Sequence, residues 1–276
     1  MFTLSLSAPS VLLLLLFGCL TGVTTVLFGF GGGFVTVPVV QGVLSATERG
    51  GSADAMHVAI ATSTAVMVVN AVSATAAQHR AGRIRREYVW PLAAYVLLGA
   101  VLGSLVATRL GDTLLHVLFA VYLLVTIADS VLRKGFLAAA GGDGGPRPLG
   151  RSTTTLGGVG IGTVAASLGV GGSVMTVPLL RRRGLPMATA TALANPLSVP
   201  VALAGTLVYA LAPAAPAHTG RVGYVDLVAC AALLCGSLPT IAVARRLGAR
   251  VPDRVHSVAY VALLVLVLAV TVAGGL

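Results

Sequence analysis

A chain of 276 residues that is 57% hydrophobic and only 9% charged, with a mean hydropathy of +0.97, holds more apolar sequence than a water-soluble core can absorb. Its formal charge of +10 would suggest nucleic acid in a soluble protein, but the arginines sit in brief loops between apolar runs, where anionic lipid is the simpler partner. Nucleic acid is therefore excluded as a partner, the lipid bilayer is expected as one, and no motif calls for a cofactor.

Crossing the hydrocarbon layer takes about 20 apolar residues. Such runs are predicted at 10–44, 55–78, 88–108, 113–132, 153–180, 187–212, 222–244 and 255–275. All are expected to be helical, because open strands cannot satisfy their backbone in lipid. The first run has no basic residue ahead of it and no evident cleavage site, so it is expected to stay as a membrane segment. Cys19, Cys230 and Cys235 lie within apolar runs without metal spacing and are read as small buried hydrophobes. The interval Arg133 to Arg151, with Gly141, Gly142, Asp143, Gly144, Gly145 and Pro146, reads as a flexible linker. It divides the chain into an N-terminal membrane repeat (1–135), a linker (136–152) and a C-terminal membrane repeat (153–276).

The two parts resemble each other. Gly29 to Pro38 (GFGGGFVTVP) aligns with Gly169 to Pro178 (GVGGSVMTVP), identical at six of ten positions. Further on, Ala61-Thr62-Ser63-Thr64-Ala65 matches Ala188-Thr189-Ala190-Thr191-Ala192 in the same order. Two matches in one order argue for duplication. The fold class expected is an all-α polytopic membrane protein of two homologous repeats, each of about four hydrophobic segments. If all eight segments were simple crossings, the 18 Lys and Arg residues would divide evenly between the two faces. If the first segment of each repeat instead turns back, broken or re-entrant at its glycines, the repeats become inverted. Only Arg49, Arg109 and Arg221 then lie opposite the other fifteen. By the positive-inside tendency the basic face is cytoplasmic.

The glycine motifs carry the most chemistry. Gly-x-Gly-Gly inside an apolar run permits dihedrals that end a helix, and a helix restarting there points unpaired N–H groups into the gap. Such an end suits an anion, without the cost of about 2.5–3.5 kcal/mol for an arginine at mid-membrane. The substrate-binding candidates are Gly29, Gly31, Gly32, Thr36, Thr62, Ser63, Gly169, Gly171, Gly172, Thr176, Thr189 and Asn195, with Thr64, Asn70 and Thr191 in the same polar lining. Pro38, Pro178 and Pro196 are expected as structural helix breaks. The bland reading is that the glycines serve helix packing and that the hydroxyls bond their own helices. No histidine pair has metal spacing, the lone His116 reads as packed, and no carboxylate is evident at the midplane. Neither a catalytic nor a metal-ligating residue is predicted.

Gly29-Phe30-Gly31-Gly32-Gly33 through Pro38, with its copy Gly169-Val170-Gly171-Gly172 through Pro178, resembles the duplicated signature of the TauE/SafE permeases, also described as sulfite exporters or toluene-sulfonate uptake permeases. The resemblance extends over nearly the whole chain, including the Thr-Ser run and the basic stretch His79 to Arg86. It departs at Ala61, where the family often has Gly, and at Ala190 in place of Ser. The resemblance implies a secondary transporter moving small anions, such as sulfite, sulfoacetate or sulfonates, across the bacterial inner membrane without ATP hydrolysis by the permease. The expected partners are that anion and, where transport is coupled, an ion; the oligomeric state is left open. An anion channel remains the alternative, ahead of an integral-membrane enzyme or scaffold.

Overall fold

The computed structural model describes residues 8–46, 54–132, 148–213, 220–247 and 252–274. Most of the expected linker, together with Arg49, Arg133, Lys134 and Arg147, lies outside the described residues. The described chain is helical almost throughout: α1 (Ala8–Phe28), α2 (Gly33–Ala46), α3 (Ala55–Arg80), α4 (Arg86–Val89), α5 (Leu92–Ala107), α6 (Asp112–Leu132), α7 (Gly158–Ser167), α8 (Ser173–Arg182), α9 (Met187–Leu211), α10 (Leu227–Leu247) and α11 (Asp253–Gly274). Among the described residues, seven helical stretches are long and apolar enough to cross a membrane. The chain is thus an all-α, multi-pass membrane protein. The described residues add a two-residue antiparallel ladder ahead of α10, β1 (Arg221–Val222) against β2 (Val225–Asp226).

The apolar runs 10–44 and 153–180 each divide into two helices. α1 gives way to α2 across Gly29, Gly31 and Gly32, whose φ angles of 72°, 62° and 89° only glycine adopts without strain. α7, entered through a π-helical turn at Thr153–Gly157, gives way to α8 across Gly169 (φ 65°). Helical structure already begins at Arg151, two residues before the expected boundary. The prolines do not break helices as expected: Pro38, Pro178 and Pro196 each lie inside a continuous helix. Each removes one N–H and frees one carbonyl, a local loss that the packed bundle tolerates.

Small residues set the tightest helix contacts. α1 runs alongside α10 in the same direction, Gly18 against Leu233 and Gly22 against Ser237 and Thr240. α5 runs alongside α7 likewise, Gly158 against Leu92 and Tyr95 and Gly103 against Thr163. Gly18/Gly22, Gly99/Gly103 and Gly158/Gly162 are all spaced by four, the pattern that lets backbones approach in lipid, where no hydrophobic force draws helices together. Each hairpin therefore leans on a helix from the other part of the chain.

Several side-chain contacts recur in both parts. Asp112, opening α6, accepts the amide of Met56 at the start of α3 (2.6 Å); Asp253, opening α11, accepts the amide of Met187 at the start of α9 (2.7 Å). Gln41 bonds His116 (2.9 Å), and Arg181 bonds Ser257 (3.4 Å), with the partners displaced along the chain by the same interval as the aspartates. His116 is a packed residue, as its isolation in sequence suggested.

These contacts also define two ends of the bundle. The starts of α3 and α6, the end of α5 and the β1–β2 turn meet at one end, with Arg109 and Arg221. The end of α8 and the starts of α9 and α11 meet at the other, where Arg181 pairs with Asp253 (2.8 Å) and Arg182 with Asp129. The outward faces of α1, α5, α6 and α11 expose Leu12, Leu98, Leu124 and Leu266, a surface suited to lipid. That surface corrects one expectation: Cys230 is buried, but Cys19 and Cys235 are exposed. In lipid an apolar residue gains nothing by turning inward.

Candidate substrate site

Both glycine breaks lie inside the bundle and touch each other. The Ser63 hydroxyl, from α3, is placed to donate to Gly33 O (2.8 Å) and to Gly169 O (2.7 Å), one carbonyl from each break. A Cβ on Gly171 would stand 2.7 Å from Phe30 O, and one on Gly33 would stand 2.9 Å from Gly169 O. The breaks abut α3 from Ile60 to Asn70 and α9 from Thr191 to Val201. At 1.5 Å rise per residue this is about 8–22 Å from the start of α3 and about 6–21 Å from the start of α9. Because those starts lie at opposite ends, the breaks occupy the middle of the bundle.

The donors are unequal. In α2 the first amide with a backbone acceptor is Thr36, donating to Gly32 O (3.3 Å), which leaves the N–H groups of Gly33, Phe34 and Val35 facing the break. In α8 the amides of Val174, Met175 and Thr176 all turn back to Gly171 or Gly172. Beside the first break, fully buried Asn70 accepts from Ser237 through Oδ1 (2.8 Å), while its Nδ2 has no hydrogen-bond partner. A Cβ on Gly32 would meet that Nδ2 at 2.7 Å, so the free amide stands directly over the break. Asn195 donates to Thr25 O and Thr191 O (3.5 Å each) and leaves Oδ1 unpartnered. Beside the second break, the hydroxyls of Ser173 and Thr176 are buried and unpartnered. Unmade hydrogen bonds at buried groups each cost about 1–3 kcal/mol, so four of them around the two breaks call for partners that the surrounding side chains do not supply.

The predicted residues therefore sort by position. Gly29, Gly31, Gly32, Gly169 and Gly171 form the breaks, Ser63 joins them, Asn195 borders Gly29, and Gly172 and Thr176 open α8. Thr36 bonds its own helix at Gly32 O (2.8 Å). Thr62 and Thr189 are not brought to the site. Thr62, about 100° around α3 from Ser63, accepts the amide of Asp226 (3.1 Å), and Thr189 is half-buried in the first turn of α9. Asn70 joins the site more directly than its place in the polar lining suggested, and Ser173 joins it although the sequence reading passed over it.

A second polar cluster lies at the Arg109 end. His57 bonds Asp112 Oδ1 through Nδ1 (2.5 Å) and Ala107 O through Nε2 (3.0 Å). With Asp54, the ligand-type atoms of this cluster lie within 4.8 Å of one another. Both ring nitrogens are engaged, Nδ1 with Asp112 and Nε2 with the Ala107 carbonyl. Isolated acidic residues in the sequence gave no sign of this cluster, which the helix starts assemble.

The profile of the sulfite exporter TauE/SafE family matches residues 14–271 of the chain. A probable membrane transporter protein of Haemophilus influenzae is 30% identical over 178 residues, which cover 63% of this chain and 64% of that protein. The aligned stretch thus spans a little under two thirds of that relative's length. No solved structure matches. The match over 14–271 takes in both glycine breaks and every helix that flanks them, and the chain belongs to the TauE/SafE family.

Proposed function

We propose that the protein is a secondary carrier of the bacterial inner membrane for small anions of the sulfite, sulfoacetate and sulfonate class. The single observation that carries this reading is the meeting of the two glycine breaks in the bundle interior, joined by Ser63 and bordered by unpartnered polar groups. The amides of Gly33, Phe34 and Val35, with Asn70 Nδ2, are neutral donors converging where an oxyanion gains most from them. Supporting it are the family and the name of the Haemophilus influenzae relative.

On this reading the two repeats are inverted. The recurrence of the Asp112–Met56 and Asp253–Met187 contacts at opposite ends of the bundle supports that relation. The Arg181–Arg183 end is the cytoplasmic face, and the Arg109 and Arg221 end faces outward. Rocking of one repeat against the other exposes the shared site to each side in turn.

Counterflow of labelled sulfite and labelled ethanesulfonate into proteoliposomes tests this, with Asn195→Leu beside wild type. Saturable counterflow weakened by the variant is expected. Flux that neither saturates nor shows counterflow would make the protein a channel, and flux of neither anion would detach the architecture from this substrate class.

A further inference from the structure

We propose that His57, held between Asp112 and the Ala107 carbonyl, is the binding site of a coupling proton; the inference rests on the carrier reading above. The two repeats place a carboxylate at equivalent positions, Asp112 opening α6 and Asp253 opening α11, and each caps the helix that flanks the glycine breaks. Asp253 is balanced by Arg181, buried and permanently charged, at 2.8 Å. Asp112 is balanced by His57 at 2.5 Å, and a histidine supplies a cation only while it holds a proton. What the second repeat fixes with a guanidinium, the first leaves to protonation.

The geometry requires that proton. Ala107 O accepts only, so Nε2 donates to it, and an unprotonated Nδ1 would then turn its lone pair toward Asp112 Oδ1. Such a contact is repulsive unless a proton lies between the two atoms. Every element packed on the ring contributes: Asp54 from the start of α3, Asp112 from α6, the carbonyl from α5, and the Tyr224 ring from the turn before α10, stacked at 5.1 Å. Burial and the charges of Asp54 and Asp112 push the Tyr224 phenol up, so it stays neutral and does not compete for the role. Water can reach the cluster at Asp112, whose side chain is 22% exposed, and a cavity of about 440 Å³ lined by Thr108, Arg109 and Tyr224 lies nearby.

The coupling runs through α3. His57 lies six residues before Ser63, about 9 Å along one rigid helix, and Ser63 holds both glycine breaks. Loss of the proton to water leaves Asp112 facing a neutral ring with Asp54 beside it. The α3–α5–α6 contact then loosens at this end, and the movement is delivered to the substrate site.

The test compares wild type with His57→Gln in proteoliposomes, using labelled ethanesulfonate, whose charge does not vary with pH in this range. Wild type is expected to accumulate the anion under a pH difference, up to about tenfold per unit for one proton per anion. His57→Gln is expected to keep counterflow at equal pH and lose pH-driven accumulation. A variant that still accumulates like wild type, or wild type driven by sodium alone, overturns the proposal and leaves the carrier reading intact. Absence of counterflow in wild type strikes the carrier reading instead. A substrate-free measurement then decides on the proton site: nitrogen-15 histidine spectra in nanodiscs should contain one ring, missing in His57→Gln, that is protonated on both nitrogens at neutral pH. A His57 ring neutral from about pH 5 to 8 overturns the proposal whatever the substrate.

Discussion

The two glycine breaks carry nearly the same sequence and are built differently. The first uses three left-handed glycines, leaves three helix-start amides facing the break, and is walled by Phe28, Phe30, Phe34 and Tyr260, with ring centroids 4.9–5.9 Å apart. The second uses one left-handed glycine, turns its amides back onto Gly171 and Gly172, and leaves hydroxyls, those of Ser173 and Thr176, in their place. The interruption thus recurs in both motifs, but the chemistry does not. The first break presents rigid backbone and amide donors; the second presents rotatable hydroxyls that can donate or accept. On the carrier reading, the first fixes the anion's oxygens and the second adapts to what remains.

The largest expected effect comes from the backbone. Gly32→Ala, at the position equivalent to Gly172, places a Cβ at 2.7 Å from Asn70 Nδ2 on a residue at φ 89°. The left-handed conformation alone costs about 1–2 kcal/mol, so melting in detergent should fall well below wild type and counterflow should be lost. Gly172→Ala is the contrast, since its nearest neighbours stand at 3.5 Å and its φ is ordinary. It should melt within about 0.5 kcal/mol of wild type. Equal damage at both positions would erase the difference drawn between the breaks.

Next comes the joint between them. Ser63→Ala leaves Gly169 O without its donor, a loss of about 1–3 kcal/mol, and should lower the maximal rate of counterflow more than the apparent affinity. A rate unchanged at wild-type stability would mean that the breaks move independently.

The smallest effects sharpen the comparison of donors. Asn70→Leu removes a rigid amide donor, and a hydrogen bond to a charged partner is worth about 1.5–3 kcal/mol, so KM should rise about tenfold or more. Thr176→Val removes a rotatable hydroxyl, whose ordering on the anion offsets part of the bond's worth, and should raise KM less, about fivefold. The reverse order would assign the tighter grip to the second break.

Much of the fold was legible because lipid leaves so few options. Runs of apolar sequence had to be helices, and Gly29 to Gly33 and Gly169 to Gly172 stood out as the places to interrupt them. The prolines misled because a proline in an otherwise apolar run looks like punctuation, whereas Pro38, Pro178 and Pro196 each forfeit only one hydrogen bond within a continuous helix. Within the site, the hydroxyl types were readable but not their facing. Thr62 and Ser63 are adjacent in sequence, and a 100° turn sends one to the β2 residue Asp226 and the other to both breaks. The His57 cluster was illegible for a different reason. Its members come from the starts of α3 and α6 and the end of α5, which approach only when the helices pack.

The most direct test of a shared, alternately exposed site is labelling of a single cysteine at the second break. Ser173→Cys, in a chain with Cys19, Cys230 and Cys235 replaced by Ala, would be treated with a membrane-impermeant thiol reagent from each side of oriented vesicles. The account predicts reaction from both faces, with sulfite or ethanesulfonate protecting the thiol against each. Labelling from one face only, unaffected by either anion, would contradict it.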